Sequence, residues 1–164
     1  EAAPLPTLPT TGDGAVLIDV IQRVCMPLVK GGNADQIAKA YGMKKSKQRY
    51  VATLGAKPYL IALEPQGGNK DVCEVTIEYA PGGEQPIVQA LHTWAFLHQP
   101  QLTPYRSDIR PDPLNGNQKL ITRSWEHVDA PHFGLVFVQQ KKNDDTPVGK
   151  NFDRAKLLYQ ERQG

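Results

Sequence analysis

Val72-Cys73-Glu74-Val75-Thr76-Ile77-Glu78-Tyr79 is followed by the breakers Pro81-Gly82-Gly83 and then by Pro86-Ile87-Val88-Gln89-Ala90-Leu91-His92-Thr93-Trp94-Ala95-Phe96-Leu97-His98. The first eight residues alternate, with Cys73, Val75, Ile77 and Tyr79 on one face of a strand and Glu74, Thr76 and Glu78 on the other. One dry and one wet face belong to an antiparallel sheet covered on one side, because a strand buried on both faces reads as a nearly continuous apolar run. Beyond Pro86, which is tolerated near a helix start, Ile87, Leu91, Trp94, Ala95 and His98 recur at helical spacing, and Val88 widens the stripe. The period change therefore predicts a helix lying on the sheet's dry face, stopped by Pro100.

On the N-terminal side, Asp13 is placed to cap a helix carrying Leu17, Ile21, Val24 and Leu28 at spacings of four, three and four, which Pro27 should end or kink. Asn33 should cap a short helix through Ile37 and Tyr41, with Gly42 as its left-handed stop. Lys44, Lys45, Lys47 and Arg49 read as a solvated connector, with a patch for phosphate, acidic glycan or anionic lipid as the alternative. Tyr50 to Leu54 and Tyr59 to Glu64 read as two short strands or one interrupted strand, broken at Gly55 and Pro58.

On the C-terminal side, the proline-rich stretch from Gln101 to Asn117 reads as a long connection with at most a short edge strand around Arg106 to Ile109. Lys119 to Val128 and Phe133 to Gln140 form a predicted hairpin, the second arm apolar enough for an interior strand. Phe152, Ala155, Leu158 and Tyr159 have helical spacing, and Asn151 could cap a final helix. No internal repeat is visible. The order argues an α+β fold: a single domain over residues 13–164, a mostly antiparallel sheet with helices packed chiefly on one face, behind a Pro-rich flexible linker over residues 1–12.

The 164 residues suit one domain that folds without a metal, and 40% hydrophobic with 22% charged residues excludes wholesale disorder. No apolar run approaches a bilayer span. A formal net charge of +2 is too mild to argue nucleic acid or an anionic membrane as principal partner. The two cysteines, Cys25 on a predicted helix and Cys73 on the dry strand face, are compatible with one disulfide in an oxidising compartment, with buried free thiols as the alternative. Together with a start at Glu1 that reads as a processed or trimmed end, they lead to the expectation of a periplasmic or secreted protein.

Four groups of residues invite a chemical reading. Glu126, His127, Asp129 and His132 are metal-ligand types in a hairpin shoulder, but no recognised metal motif is present and an ordinary polar turn collects the same residues. A cysteine nucleophile would need His92 or His98 as its base. Asp108 and Asp112 could form a carboxylate pair, although interleaved Arg106 and Arg110 make local ion pairs the simpler account. Trp94 suits the core, whereas Trp125 shares a mixed face with Ile121, Arg123 and His127 that could be exposed as a binding anchor. Gly67-Gly68 and Gly82-Gly83 are turn glycines and do not form a phosphate loop.

The segments Val16 to Cys25, Val72 to Tyr79 and Ile87 to Leu97 place a cysteine-bearing helix before a cysteine-bearing strand and a long helix. This layout resembles that of small exported bacterial proteins of unknown function. The resemblance implies export and a Cys25 to Cys73 bond, and transfers no catalytic residue.

The reading is of a non-enzymatic exported binding or interaction module of the bacterial cell envelope, recognising a protein or surface polymer. It needs no cofactor, nucleic acid or membrane span. Arg106, Arg110, Arg123, Trp125 and His127 are its candidate binding residues, with an anionic group as one candidate ligand. The alternatives are a small metal-dependent hydrolase using Glu126, His127, Asp129 and His132, or a structural subunit of an envelope assembly.

Overall fold

In the computed structural model, which describes residues 4–163, α1 (Gly12–Val20), a π-helical turn (Ile21–Cys25) and α2 (Met26–Val29) make one continuous helical run, followed by α3 (Ala34–Tyr41). Strands β1 (Lys44–Ser46), β2 (Arg49–Thr53), β3 (Leu60–Leu63) and β4 (Val72–Tyr79) come next, then helix α4 (Glu84–Leu97). The chain ends in β5 (Thr103–Pro111), β6 (Gln118–His127), β7 (His132–Lys142) and β8 (Asp153–Arg162). All eight strands join one antiparallel sheet of order β1-β2-β3-β4-β8-β7-β6-β5. Each half of the chain is thus a helical segment followed by a four-stranded meander running from an edge to the centre. The topology repeats where the sequence shows no repeat.

The expected α+β class holds, and so do several local expectations. Asn33 Oδ1 accepts the Gln36 N–H at 3.0 Å, and Gly42, at φ 99°, ends α3 in the left-handed region that glycine enters without steric cost. Other expectations are corrected. Pro27 neither ends nor visibly breaks the helical run: it lies at the start of α2, where its missing N–H is expendable, directly after the wider π-helical turn. Thr11 occupies the N-cap position of α1, and Asp13 lies in its first turn, where a carboxylate suits the helix dipole. The lysine-rich connector is a hairpin, with β1 forming an exposed sheet edge. Such lysines discourage further strand pairing. Of the proposed linker, residues 1–3 lie outside the described residues, and Leu8 packs against the core.

The largest correction is at the C-terminus, where the expected helix is strand β8. Asp153, Ala155, Leu157, Tyr159 and Glu161 alternate inward, so the spacing of four between Ala155 and Tyr159 fits a strand period carried by Leu157, while Phe152 precedes the strand and Leu158 faces the other side. β8 pairs with β4 on one side and β7 on the other. The expected long connection is likewise mostly strand: β5 forms the second sheet edge, where Pro104 and Pro111 are tolerable.

The core lies between the helices and one face of the sheet. Gly14 lets α1 approach α4 closely, since a Cβ there would come within 2.6 Å of Ala90 Cβ. Trp94 of α4 meets Tyr159 of β8 edge-on, with ring centroids 6.0 Å apart. Cys25 and Cys73, both fully buried, stand at disulfide distance with Cα atoms 5.3 Å apart, tying the first helical run to β4.

The opposite face carries cross-strand ion pairs. Arg154 Nε and Nη2 both donate to Glu78 Oε2, at 3.0 and 2.8 Å, while Lys156 meets Glu74 at 3.1 Å. Of the expected wet residues of β4, Glu74 and Glu78 are therefore partnered by β8, whereas Thr76 is buried and donates to Glu64. Under the start of α4, fully buried Asp153 accepts from Lys141 Nζ at 2.8 Å and from the Gly82 N–H at 2.9 Å, joining β7, β8 and the turn that launches the helix. Removing Lys141 would strand a buried charge, which costs far more than an exposed ion pair is worth.

With a sequence separation of 48 between the cysteines, reduction of the bonded pair should cost about 4 kcal/mol in the chain-entropy view. Urea midpoints measured with and without reductant should differ accordingly, and those of a Cys25→Ser/Cys73→Ser chain should not. Burial raises the pKa of both Tyr79 and Tyr159, and for Tyr159 the hydrogen bond to Glu161 adds to it. The folded chain then holds two protons that the unfolded chain releases near pH 10, so this stability is complete below about pH 10 and lost as pH rises further. Denaturation midpoints should fall on the alkaline side of about pH 10, and Tyr79→Phe/Tyr159→Phe should flatten that fall.

Candidate functional site

Helix α4 and the outer hairpin of β5 and β6 leave a groove of about 290 Å³ between them. Gln85, Val88, Gln89 and His92 line it from α4; spacings of three and four put them on one flank of the helix. Arg123 and Trp125 line it from β6, two residues apart and so on the same face of the strand. Pro104, Arg106 and Ser107 complete the β5 side. At the same place the β5–β6 register slips between Pro104 and Arg106, and the Arg106 N–H donates to Ser124 Oγ at 3.1 Å.

Trp125 is the floor of this groove. Expected on an exposed face, it is only 4% exposed, because α4 covers that end of β6. Its indole Nε1–H donates to His92 Nδ1 at 3.0 Å. A neutral His92 that accepts at Nδ1 carries its proton on Nε2, so the hydrogen bond sets both the ring's orientation and its remaining donor.

Among the described residues, no carboxylate lines the groove. Among the described residues the arginine ion pairs are those of Arg23, Arg49, Arg106 and Arg154, which leaves exposed Arg123 without an acidic partner. Arg106 is engaged by Asp108 at 2.9 Å. Arg123, the His92 ring and the amides of Gln85 and Gln89 therefore offer mostly donors and positive charge over an aromatic floor. That chemistry suits a small anionic group: guanidinium matches a carboxylate, phosphate or sulfate with two parallel hydrogen bonds.

Of the five residues expected to bind, the structure brings Arg123 and Trp125 together, with Arg106 at the border of the groove and its guanidinium turned to Asp108. Arg110 pairs in register with Leu120 on the sheet face turned away from the helices, and has no ion pair among the described residues. His127 lies near the far end of α4, its ring 6.4 Å from Phe133. His92, Gln85 and Gln89 were not among the expected binders, although polar residues at helical spacing beside an apolar stripe were visible in the sequence.

The metal-ligand group is divided between the faces. Glu126 Oε1 and His132 Nε2 are 3.2 Å apart on the face away from the helices, with Gln160 Nε2 3.4 Å from His132 Nδ1. Gln160 occupies the space over Gly134, where a Cβ would come within 2.8 Å of its Nε2. His127 points to the other face, and Asp129 is exposed in the turn. The histidines considered as thiol bases are engaged elsewhere: His92 with Trp125, and His98 between the rings of Trp94 and Phe133, each 5.0 Å away. Asp108 meets Arg106, while Asp112 Oδ1 accepts the Leu114 N–H at 2.9 Å. Compared with known protein families, curated proteins and solved structures, the chain matches none of them.

Trp125→Phe should keep the packing and remove the indole donor, at a cost of about 1 kcal/mol of stability. Nitrogen NMR of His92 should show the Nε2–H tautomer in the parent chain and a mixture of tautomers in the variant. An unchanged tautomer would mean that the indole does not orient the ring.

Proposed function

We propose that this protein is an exported, non-catalytic binding module of the bacterial cell envelope, and that the groove between α4 and β6 captures an anionic group on a protein or surface polymer. The observation that carries this reading is a groove that no acid lines among the described residues, in which Arg123 has no ion-pair partner among them and lies beside the Trp125–His92 pair. A cationic side chain held over a shallow groove recognises a charged group without needing to enclose a whole molecule. Export is supported by the buried cysteine pair at disulfide distance, a feature that persists in oxidising compartments. The contribution of Arg123 should weaken with added salt, because the groove is open to solvent.

The test is an NMR titration of isotope-labelled protein with polygalacturonate, dextran sulfate and neutral dextran. Either polyanion should shift the Trp125 indole and His92 signals, and dextran should not. Arg123→Ala should weaken binding by roughly tenfold to a hundredfold, the worth of one charge-assisted hydrogen bond. Shifts confined to another surface, or equal affinity in Arg123→Ala, would refute the reading.

A further inference from the structure

The sheet ends on one side in β5, whose outer edge pairs with no other strand among the described residues. Its hydrogen-bonding directions follow from its pairing with β6. Asp112 N–H donates to Gln118 O at 3.0 Å, and Arg106 N–H donates to Ser124 Oγ at 3.1 Å, so even-numbered residues from 106 to 112 point their peptide groups toward β6. Ser107 and Ile109 therefore direct N–H and C=O outward, while Pro111, next in that series, has no N–H to offer. The irregularity between Pro104 and Arg106 shifts the register on the other side. What remains is a short free edge bearing two large exposed apolar side chains, Tyr105 at 64% and Ile109 at 66%.

From these features we infer that β5 pairs with β5 of a second copy, antiparallel across a two-fold axis at Ser107, to extend the sheet through a dimer. The alternation of charge selects this register. With Ser107 opposite itself, Arg106 stands opposite Asp108 of the other copy and Asp108 opposite its Arg106, while Tyr105 and Ile109 occupy opposed positions. The Arg106–Asp108 pair within each strand, 2.9 Å apart, then becomes half of an alternating four-charge cluster. Moving the axis to Asp108 would set aspartate against aspartate and Arg106 against Arg110. Moving it to Ile109 would set Ser107 against Pro111 and forfeit a backbone hydrogen bond. A self-complementary edge of this kind is what an isologous interface requires, and its small extent makes the dimer weak and concentration-dependent. The pairing does not depend on what the α4 groove binds.

Sedimentation equilibrium of the full chain at low ionic strength tests this. The parent's average mass should rise with concentration from 18.1 kDa toward twice that value. Asp108→Arg places arginine opposite arginine and should shift the midpoint of association at least tenfold upward in concentration. The double exchange Arg106→Asp/Asp108→Arg should restore it. Ser107→Pro, which removes an outward N–H that β6 does not use, should also keep the chain monomeric, with circular dichroism confirming its fold. A parent that stays monomeric to millimolar concentration, or an Asp108→Arg chain that associates as strongly as the parent, would overturn the inference.

Discussion

Strand β8 holds the sheet together. Without it, β1 to β4 and β5 to β7 would be separate meanders, each with an unpaired inner strand; with it, Val75 faces Leu157 and Leu157 faces Phe137 across continuous ladders. Its alternate residues serve both faces. Ala155, Leu157 and Tyr159 complete the core, while Arg154 and Lys156 neutralise the carboxylates of β4. A slip of one residue would exchange these two sets, burying cations and exposing the core, so the register is held by burial and charge together. Asp153 extends this control to α4, because its buried carboxylate joins Lys141 to the turn before the helix.

The groove is a consequence of that placement. α4 lies on the sheet through Trp94 and Tyr159, and the polar flank bearing Gln85, Gln89 and His92 is thereby set beside β6. Trp125 connects the two: its ring is buried as part of the core, while its indole N–H orients an exposed histidine. One residue thus carries stability and site geometry, which is why a substitution there would be felt in both.

The site was only partly legible in the chain. Arg123 and Trp125 were recognisable as neighbours on one strand face, since alternation places residues two apart together. Whether that face was wet depended on where a helix from another part of the chain would lie. Glu126 and His127 show the opposite case: adjacent in sequence and chemically suited to one metal, they are sent to opposite faces by the same alternation, and Glu126 finds His132 instead.

Sequence alone determined the dry face of β4, the apolar stripe of α4, and the Asn33 and Gly42 caps, because each rests on local periodicity or on the conformational preference of one residue. Only the tertiary structure decided that residues 153–162 form a strand, and that Trp125 is covered while Arg123 has no ion-pair partner among the described residues. Phe152, Ala155 and Tyr159 satisfy a helical spacing on their own. The vacant place between β4 and β7, with hydrogen-bonding edges on both sides, turns the segment into a strand, because there it pairs its backbone twice and buries Ala155, Leu157 and Tyr159 together.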